Sequence, residues 1–285
     1  MKEQLVVEEE SLLYDFLRKK LNELSKNNVK NILKRKMVSV NEKIVTSYDY
    51  KIHKSDVITI KNNIIESDII GDIKIIYEDK SIIVVDKPSG ILTIATEKDK
   101  SSENNLYNII SKYVKKKNAN NKIFIVHRLD KDTSGVILFA KNEKVKDMLQ
   151  DKWNDIATRV YYAVVVGDTK EKETLKSYLK ENSNLMTYVA KDGKLAVTHY
   201  RKIKFNGKYS LLEIKIDTGR RNQIRVQLSN INHPILGDNK YGIKDNSSKR
   251  LMLHAKSLDI VNKKTNEIMH FESDIPKSFY KVMDK

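Results

Sequence analysis

The chain contains no cysteine. That excludes disulfides, thiolate catalysis and every zinc site built on sulfur. Its six histidines (His53, His127, His199, His233, His254 and His270) show no close pairing of the His-Glu-x-x-His kind, so no metal is expected. Glycine is scarce, at nine residues, and no Gly-x-x-x-x-Gly-Lys-Ser/Thr run is present to cradle a nucleotide. Long apolar runs are missing too: none approaches the roughly 18–20 residues that a membrane-spanning helix needs. The first ten residues are acidic where a signal peptide would be basic and then apolar. These absences lead to the expectation of a soluble, cytoplasmic chain without a membrane partner, acting as a monomer.

What is present is length for a core, and positive charge. The 285 residues, 40% of them hydrophobic, accommodate one large core and a small satellite domain. Fifty-four Lys and Arg oppose 38 Asp and Glu, a formal net charge of +16. Such an excess favours a polyanionic partner, because each neutralised phosphate releases condensed counterions. A lysine-rich surface that is merely soluble gives the same total, so distribution decides.

Positions Leu12, Leu13, Phe16, Leu17, Leu21 and Leu24 fall on one helical face within residues 11–24. Ser25 stands where an N-cap is needed, and Val29, Ile32 and Leu33 mark a second helix. Val38 and Val40 alternate before the turn Asn41-Glu42-Lys43, and Val57, Thr59 and Ile60 read as a closing strand. Residues 11–61 therefore form a helix–helix–hairpin unit. Residues 18–36 hold eight basic side chains, Lys30, Lys34 and Arg35 among them, against Glu23 alone. The Leu/Val face excludes them, which leaves a basic surface suited to tracking phosphates.

A polar stretch, residues 61–72, reads as a linker to a second domain, residues 73–285. Strand signals dominate there: Ile73–Tyr77, Ile82–Val85, Ile123–Val126, Val136–Ala140, Val160–Val166, Thr198–Lys204, Leu211–Ile216 and Leu251–Ile260. Asn206-Gly207 marks a hairpin. Helices fit near residues 102–116, 142–153 and 220–230. The expected class is α+β: a mixed, mostly antiparallel sheet with flanking helices, plus the small N-terminal α/β module.

The segment His127-Arg128-Leu129-Asp130-Lys131-Asp132-Thr133-Ser134-Gly135 sets a carboxylate in a polar loop between two apolar strands. Reactive groups are often displayed this way. By spacing alone the better reading is an ordinary strand connection with an Asx turn.

Five blocks in order resemble the RluA-type pseudouridine synthases. They are Asp86-Lys87-Pro88-Ser89-Gly90; the His127–Gly135 segment; Thr158-Arg159-Val160-Tyr161-Tyr162-Ala163 with Gly167; Thr218-Gly219-Arg220 through Gln223-Ile224-Arg225-Val226, continuing to His233-Pro234-Ile235-Leu236-Gly237-Asp238 and Tyr241-Gly242; and Leu253-His254-Ala255 with Phe271-Glu272 and Pro276. The N-terminal unit is similar to the alpha-L RNA-binding module. Met37 replaces its usual glycine, and Leu13-Tyr14-Asp15 departs from its usual Arg-Leu-Asp opening.

The resemblance implies an isomerase, an intramolecular transferase turning uridine into pseudouridine in RNA, without a cofactor. Ribosomal large-subunit RNA is the expected substrate, transfer RNA the alternative. It implies Asp130 as nucleophile, Arg225 as its partner through two parallel hydrogen bonds, and Tyr161 stacking on the target base. Arg128 fills the place of the flipped nucleotide or contacts phosphate, and Lys87, with Pro88, shapes an RNA-facing rim. His127 is expected to be structural. Asn222 and Gln227 stand where many relatives carry histidine, which points to polar support or RNA contact at those positions. Two other classes compete. A non-catalytic ribosome-assembly factor leaves Asp130, Tyr161 and Arg225 without a role. A glycosidase-like hydrolase needs a second carboxylate, for which Asp132 is the nearest candidate.

Overall fold

The structure, a computed structural model, describes residues 2–21, 29–30, 32–33, 37–61, 69–70, 72–95, 104–243, 245, 247–262 and 265–284. It divides into two compact units, Met1–Asp68 and Ile69–Lys285.

In the first unit the helix Leu13–Lys20 buries Leu13, Phe16 and Leu17, with Leu21 just beyond. This is the spacing read from the sequence. Arg18, Lys19 and Lys20 occupy its last turn, where cations meet the negative end of the helix dipole. Leu12 departs from expectation: it is extended backbone ahead of the helix and is exposed. Val29, Ile32 and Leu33 are buried in helical backbone, while Leu24 and Ser25 lie outside the described residues. The strands Val38–Val40 and Lys43–Ile44 meet at Asn41 and Glu42, whose φ values of 48° and 69° suit a tight hairpin turn. Strand Val57–Lys61 pairs with Val38–Val40 on one edge and with Lys2–Val6 on the other. The unit thus extends beyond the expected 11–61. The N-terminal strand is held by its backbone ladder and by Leu5 and Val7, which pack on the core of the unit while Val6 is exposed.

The second unit is built on a twelve-stranded sheet. Along it run Thr187–Val189, Lys172–Glu181, Lys194–Phe205, Tyr209–Ile216, Ala157–Val166, Leu253–Val261, Ser134–Ala140, Ile82–Lys87, Ile73–Glu78 and Ile69–Ile70; Phe124–Ile125 and Ile268–Glu272 pair off this path. All neighbours are antiparallel except Ser134–Ala140 with Leu253–Val261, so the sheet is mixed and mostly antiparallel. Ile69–Ile70 pairs with Ile73–Glu78, which takes the end of the expected linker into the sheet. The helices are Leu106–Lys117, Glu143–Asp151, Trp153–Ile156, Gln223–Asn230 and Lys277–Met283. Asn105 and Asn142 cap the first two with side-chain oxygens that accept amides of Asn108 and Val145.

Strand Lys172–Glu181 has no strand signal in sequence. Its buried apolar side chains are Leu175 and Leu179, four apart, a helical interval. Ser177 occupies the position between them on that face, where its hydroxyl accepts a hydrogen bond from Gln227 Nε2 at 2.9 Å. A polar contact with another element keeps the strand's period of two, and no residue-by-residue hydropathy shows it.

Candidate functional site

A cleft of about 750 Å³ opens in the second unit, with Asp130, Tyr161, Arg159 and Arg225 in its lining. Asp130 is delivered by the loop joining Phe124–Ile125 to Ser134–Ala140, two strands that pair as a hairpin. The block Asp86–Gly90 holds the loop's backbone. Lys87 Nζ and Gly90 N donate to the Lys131 carbonyl at 2.8 and 3.0 Å, and Ser89 Oγ donates to that of Asp132 at 2.7 Å. Thr93 Oγ1 donates to the Leu129 carbonyl at 2.8 Å and accepts from the Leu129 amide at 3.3 Å. With so many backbone groups of the loop bonded, the Asp130 side chain remains to face the cleft, 30% exposed. Gly135 completes the loop at φ +112°, where an added Cβ would lie 2.1 Å from the Ala255 carbonyl oxygen. Only glycine permits this approach of the two parallel strands.

Lys87 must be corrected. Expected at an RNA-facing rim, it is 0% exposed. Its three N–H groups donate to the carbonyls of Pro88, Ile91 and Lys131 at 3.0, 2.7 and 2.8 Å. Burial pushes its pKa down to about 7. It is a strut under the Asp130 loop with no donor left for RNA. Pro88, its expected companion, serves through its carbonyl.

Arg225 stands on helix Gln223–Asn230, which is buried along most of its length. The fork expected on Asp130 is turned elsewhere. Arg225 Nε and Nη2 donate to the two carboxylate oxygens of Asp238, each at 2.8 Å, and Asp238 is almost wholly buried. Nη1 is left to bridge Asn222 Oδ1 at 3.1 Å and Asp130 Oδ2 at 3.3 Å. The geometry follows from access: Asp238 is held beneath by the amides of Lys240 and Tyr241, which its Oδ1 accepts at 2.9 and 3.0 Å, so it offers a fixed face to the fork. Burial raises the pKa of Asp238, but the Arg225 guanidinium outweighs it and holds the carboxyl below its ordinary value. Burial acts against the charge of Arg225 too, and Asp238, then Asp130, hold its pKa above the usual arginine value.

Asn222 Nδ2 also donates to the hydroxyl of Tyr241 at 3.0 Å, and the ring of Tyr241 lies 5.2 Å from the Arg225 guanidinium carbon. Gln227 instead donates to the Leu175 and Ala196 carbonyls and to Ser177. The two residues in the histidine positions of relatives therefore part company: Asn222 orients Arg225, and Gln227 fastens the helix to the sheet.

Tyr161 projects into the cleft from strand Ala157–Val166, while Tyr162 takes the other face. Burial pushes the Tyr161 hydroxyl up to about 12, so it stays protonated at neutral pH. His127 is structural in its contacts: Nε2 accepts the Leu138 amide at 3.1 Å, and the ring stacks on Trp153 at 4.6 Å. Burial, reinforced by Arg159, pushes its pKa down to about 3. Arg128 is exposed at the cleft beside Asp130. Lys30 belongs to the other unit, exposed, 5.9 and 6.0 Å from the rings of Tyr14 and Tyr48; Lys34 and Arg35 lie outside the described residues.

Comparison with known proteins gives the chain a family. The family model described as RNA pseudouridylate synthase matches residues 81–230, more than half of the chain, including Asp130, Tyr161 and Arg225. The chain belongs to that family. As an RNA pseudouridine synthase, an isomerase of the RluA type, it is 41% identical over 217 residues to "Ribosomal large subunit pseudouridine synthase D" of Borreliella burgdorferi, covering 73% of this chain and 66% of that one. It is 32% identical to "Uncharacterized RNA pseudouridine synthase YlyB" of Bacillus subtilis over 94% of this chain and 92% of that one. The fold of this synthase matches human "RNA Pseudouridylate Synthase Domain Containing 4" with a TM-score of 0.62 at 20% identity, covering 74% of this chain and 91% of the human one.

Sequence reasoning placed Asp238 in a motif without giving it a role, and it quoted Arg159 only in passing. Asp238 stands thirteen residues after Arg225, and no local periodicity couples the two.

Proposed function

We propose that this synthase isomerises uridines in large-subunit ribosomal RNA, with Asp130 as the nucleophile. The observation that carries the reading is the relay from buried Asp238 through Arg225 to the half-buried Asp130, at a cleft whose lining includes five arginines, Arg128, Arg159, Arg220, Arg221 and Arg225. The reaction breaks the N1–C1′ bond of a flipped-out uridine, turns the base and joins C5 to C1′. A proton leaves C5, N1 ends protonated, and no atom is gained or lost. A carboxylate suits the step because it can bond to the nucleotide and be displaced again. Nη1 of Arg225 donates to Asp130 Oδ2 and so fixes the orientation of the carboxylate. The protonated Tyr161 offers a ring for the base to stack on, about 1–3 kcal/mol, comparable to the cost of flipping it. Arg128, on the same loop, is placed to fill the gap or hold a phosphate.

The substrate class rests on the 41% identical relative's name. The basic residues within 18–36, Lys30, Lys34 and Arg35 among them, serve in this reading to bind RNA as part of an alpha-L-type module. Mapping pseudouridine in all stable RNAs from cells with and without the gene tests both target and nucleophile. Sites in large-subunit RNA should vanish without the gene and return with wild type but not with Asp130→Asn. Restoration by Asp130→Asn removes the nucleophile from this reading, and sites confined to transfer RNA replace the substrate.

A further inference from the structure

Two arginines are buried at the cleft, and among the described residues only one is paired with a carboxylate. Arg225 meets two carboxylates. Arg159, on strand Ala157–Val166, is 7% exposed, yet its bonds go to neutral acceptors. Nη2 donates to Asn154 Oδ1 at 3.2 Å and to the carbonyls of Ile216 and Asp217 at 3.3 Å each. The Asp217 carboxylate acts on Arg159 only through space, its own close contact being His199 Nε2 at 2.9 Å. Nε of Arg159 is buried without a partner. Among the described residues no hydrogen bond reaches Nη1 and no carboxylate pairs with the group.

A buried ion without a counter-ion costs several kcal/mol, and arginine does not shed the cost by deprotonating. Gly219 leaves the approach to Nη1 open: an added Cβ there would lie 3.0 Å from that nitrogen. Tyr161 follows Arg159 by two residues on the strand, and both line the cleft. An anion at Nη1 would therefore flank whatever stacks on Tyr161.

We infer that Arg159 Nη1 is a binding site for a phosphodiester oxygen of the RNA strand, next to the nucleotide that reacts at Asp130. This rests on the reading that RNA enters the cleft there. The phosphate supplies the missing counter-ion, and the pairing holds the backbone still while the base turns. Arg225 cannot serve this purpose, because its guanidinium is already committed to Asp238 and Asp130.

The test uses a synthetic RNA stem-loop bearing a uridine that wild type converts, prepared with a neutral methylphosphonate at each linkage flanking it. One neutral linkage should weaken binding to wild type about tenfold or more and leave binding to Arg159→Gln nearly unchanged. Arg159→Gln should bind the unmodified RNA about tenfold or more weakly, with a salt dependence shallower by about one released ion. Arg159→Lys should recover part of the affinity, and the single-turnover rate at saturating RNA should fall less than affinity does. Gly219→Ala, which crowds Nη1 and leaves the Nη2 acceptors in place, should weaken binding in the same linkage-dependent way and decides the matter if Arg159→Gln does not fold. Equal losses from neutral linkages in wild type and variants, or an unchanged salt slope, overturn the inference. Conversion of no uridine by wild type would instead remove the proposed activity, and this inference with it.

Discussion

The two walls of the cleft carry the same chemical group in opposite circumstances. On the helix wall, Arg225 is clamped by Asp238 and shares one nitrogen between Asn222 and Asp130. On the strand wall, Arg159 is held by carbonyl and amide oxygens alone. A buried cation given its own carboxylate becomes a fixed part of the scaffold, whereas one given only neutral acceptors keeps an unmet demand for an anion. The difference separates holding the protein's carboxylate from holding the substrate's charge.

The largest effect that would break the comparison is loss of the clamp. Asp238→Ala should destabilise the fold by about 3–5 kcal/mol, since it leaves Arg225 buried and short of a partner. Asp238→Asn, which keeps an acceptor of similar shape, should cost less. Chemical denaturation measures both, and an Ala variant as stable as wild type would mean the helix wall is no more committed than the strand wall. Next comes Arg225→Lys. One ammonium cannot reproduce the fork and the third contact together, so turnover should fall about 100-fold or more, by about 2.7 kcal/mol in the barrier. Near-normal turnover in a folded variant would show that orientation by the guanidinium plane is unimportant.

A smaller effect concerns two buried, neutral histidines. Burial holds His254 at a pKa of about 4 and His127 at about 3. Unfolded histidine takes up its proton near pH 6.5, so below that pH the unfolded chain binds more protons than the folded one. Stability from these groups is present above pH ~6.5 and is lost as pH falls, on the order of 1–2 kcal/mol for each between pH 6.5 and 5. A melting temperature that does not fall over this range would contradict it. The finest effect links the histidine to the strand wall. The charge of Arg159 helps depress His127, so Arg159→Gln should raise the pH at which the His127 ring titrates, read from its NMR resonances. An unmoved titration would place Arg159's charge out of reach of His127.

Much of this was legible in residue order. Asp130 could be read because it lies in a polar loop between two apolar runs, and five motif blocks in sequence gave that loop a chemistry. Tyr161 and Arg225 followed from the same blocks. Lys87 shows where such reading fails: a motif lysine beside the Asp130 loop is the same letter whether it reaches outward to phosphate or inward to three carbonyls. Strand Lys172–Glu181 was hidden because Ser177, polar in sequence, fills an inward position by bonding to Gln227.

The sequence by itself determined the family, the mixed sheet, the loop position of Asp130 and the absence of thiol chemistry, because each depends on residue type or on near neighbours. Only the tertiary structure decided what each charge is paired with. Asp238 and Arg225 meet across thirteen residues, Lys87 and Lys131 across forty-four, and the hydrogen bonds of Arg159 go to neutral oxygens alone. Charge pairing depends on distance and burial, and in a folded chain both are set by segments far apart in sequence.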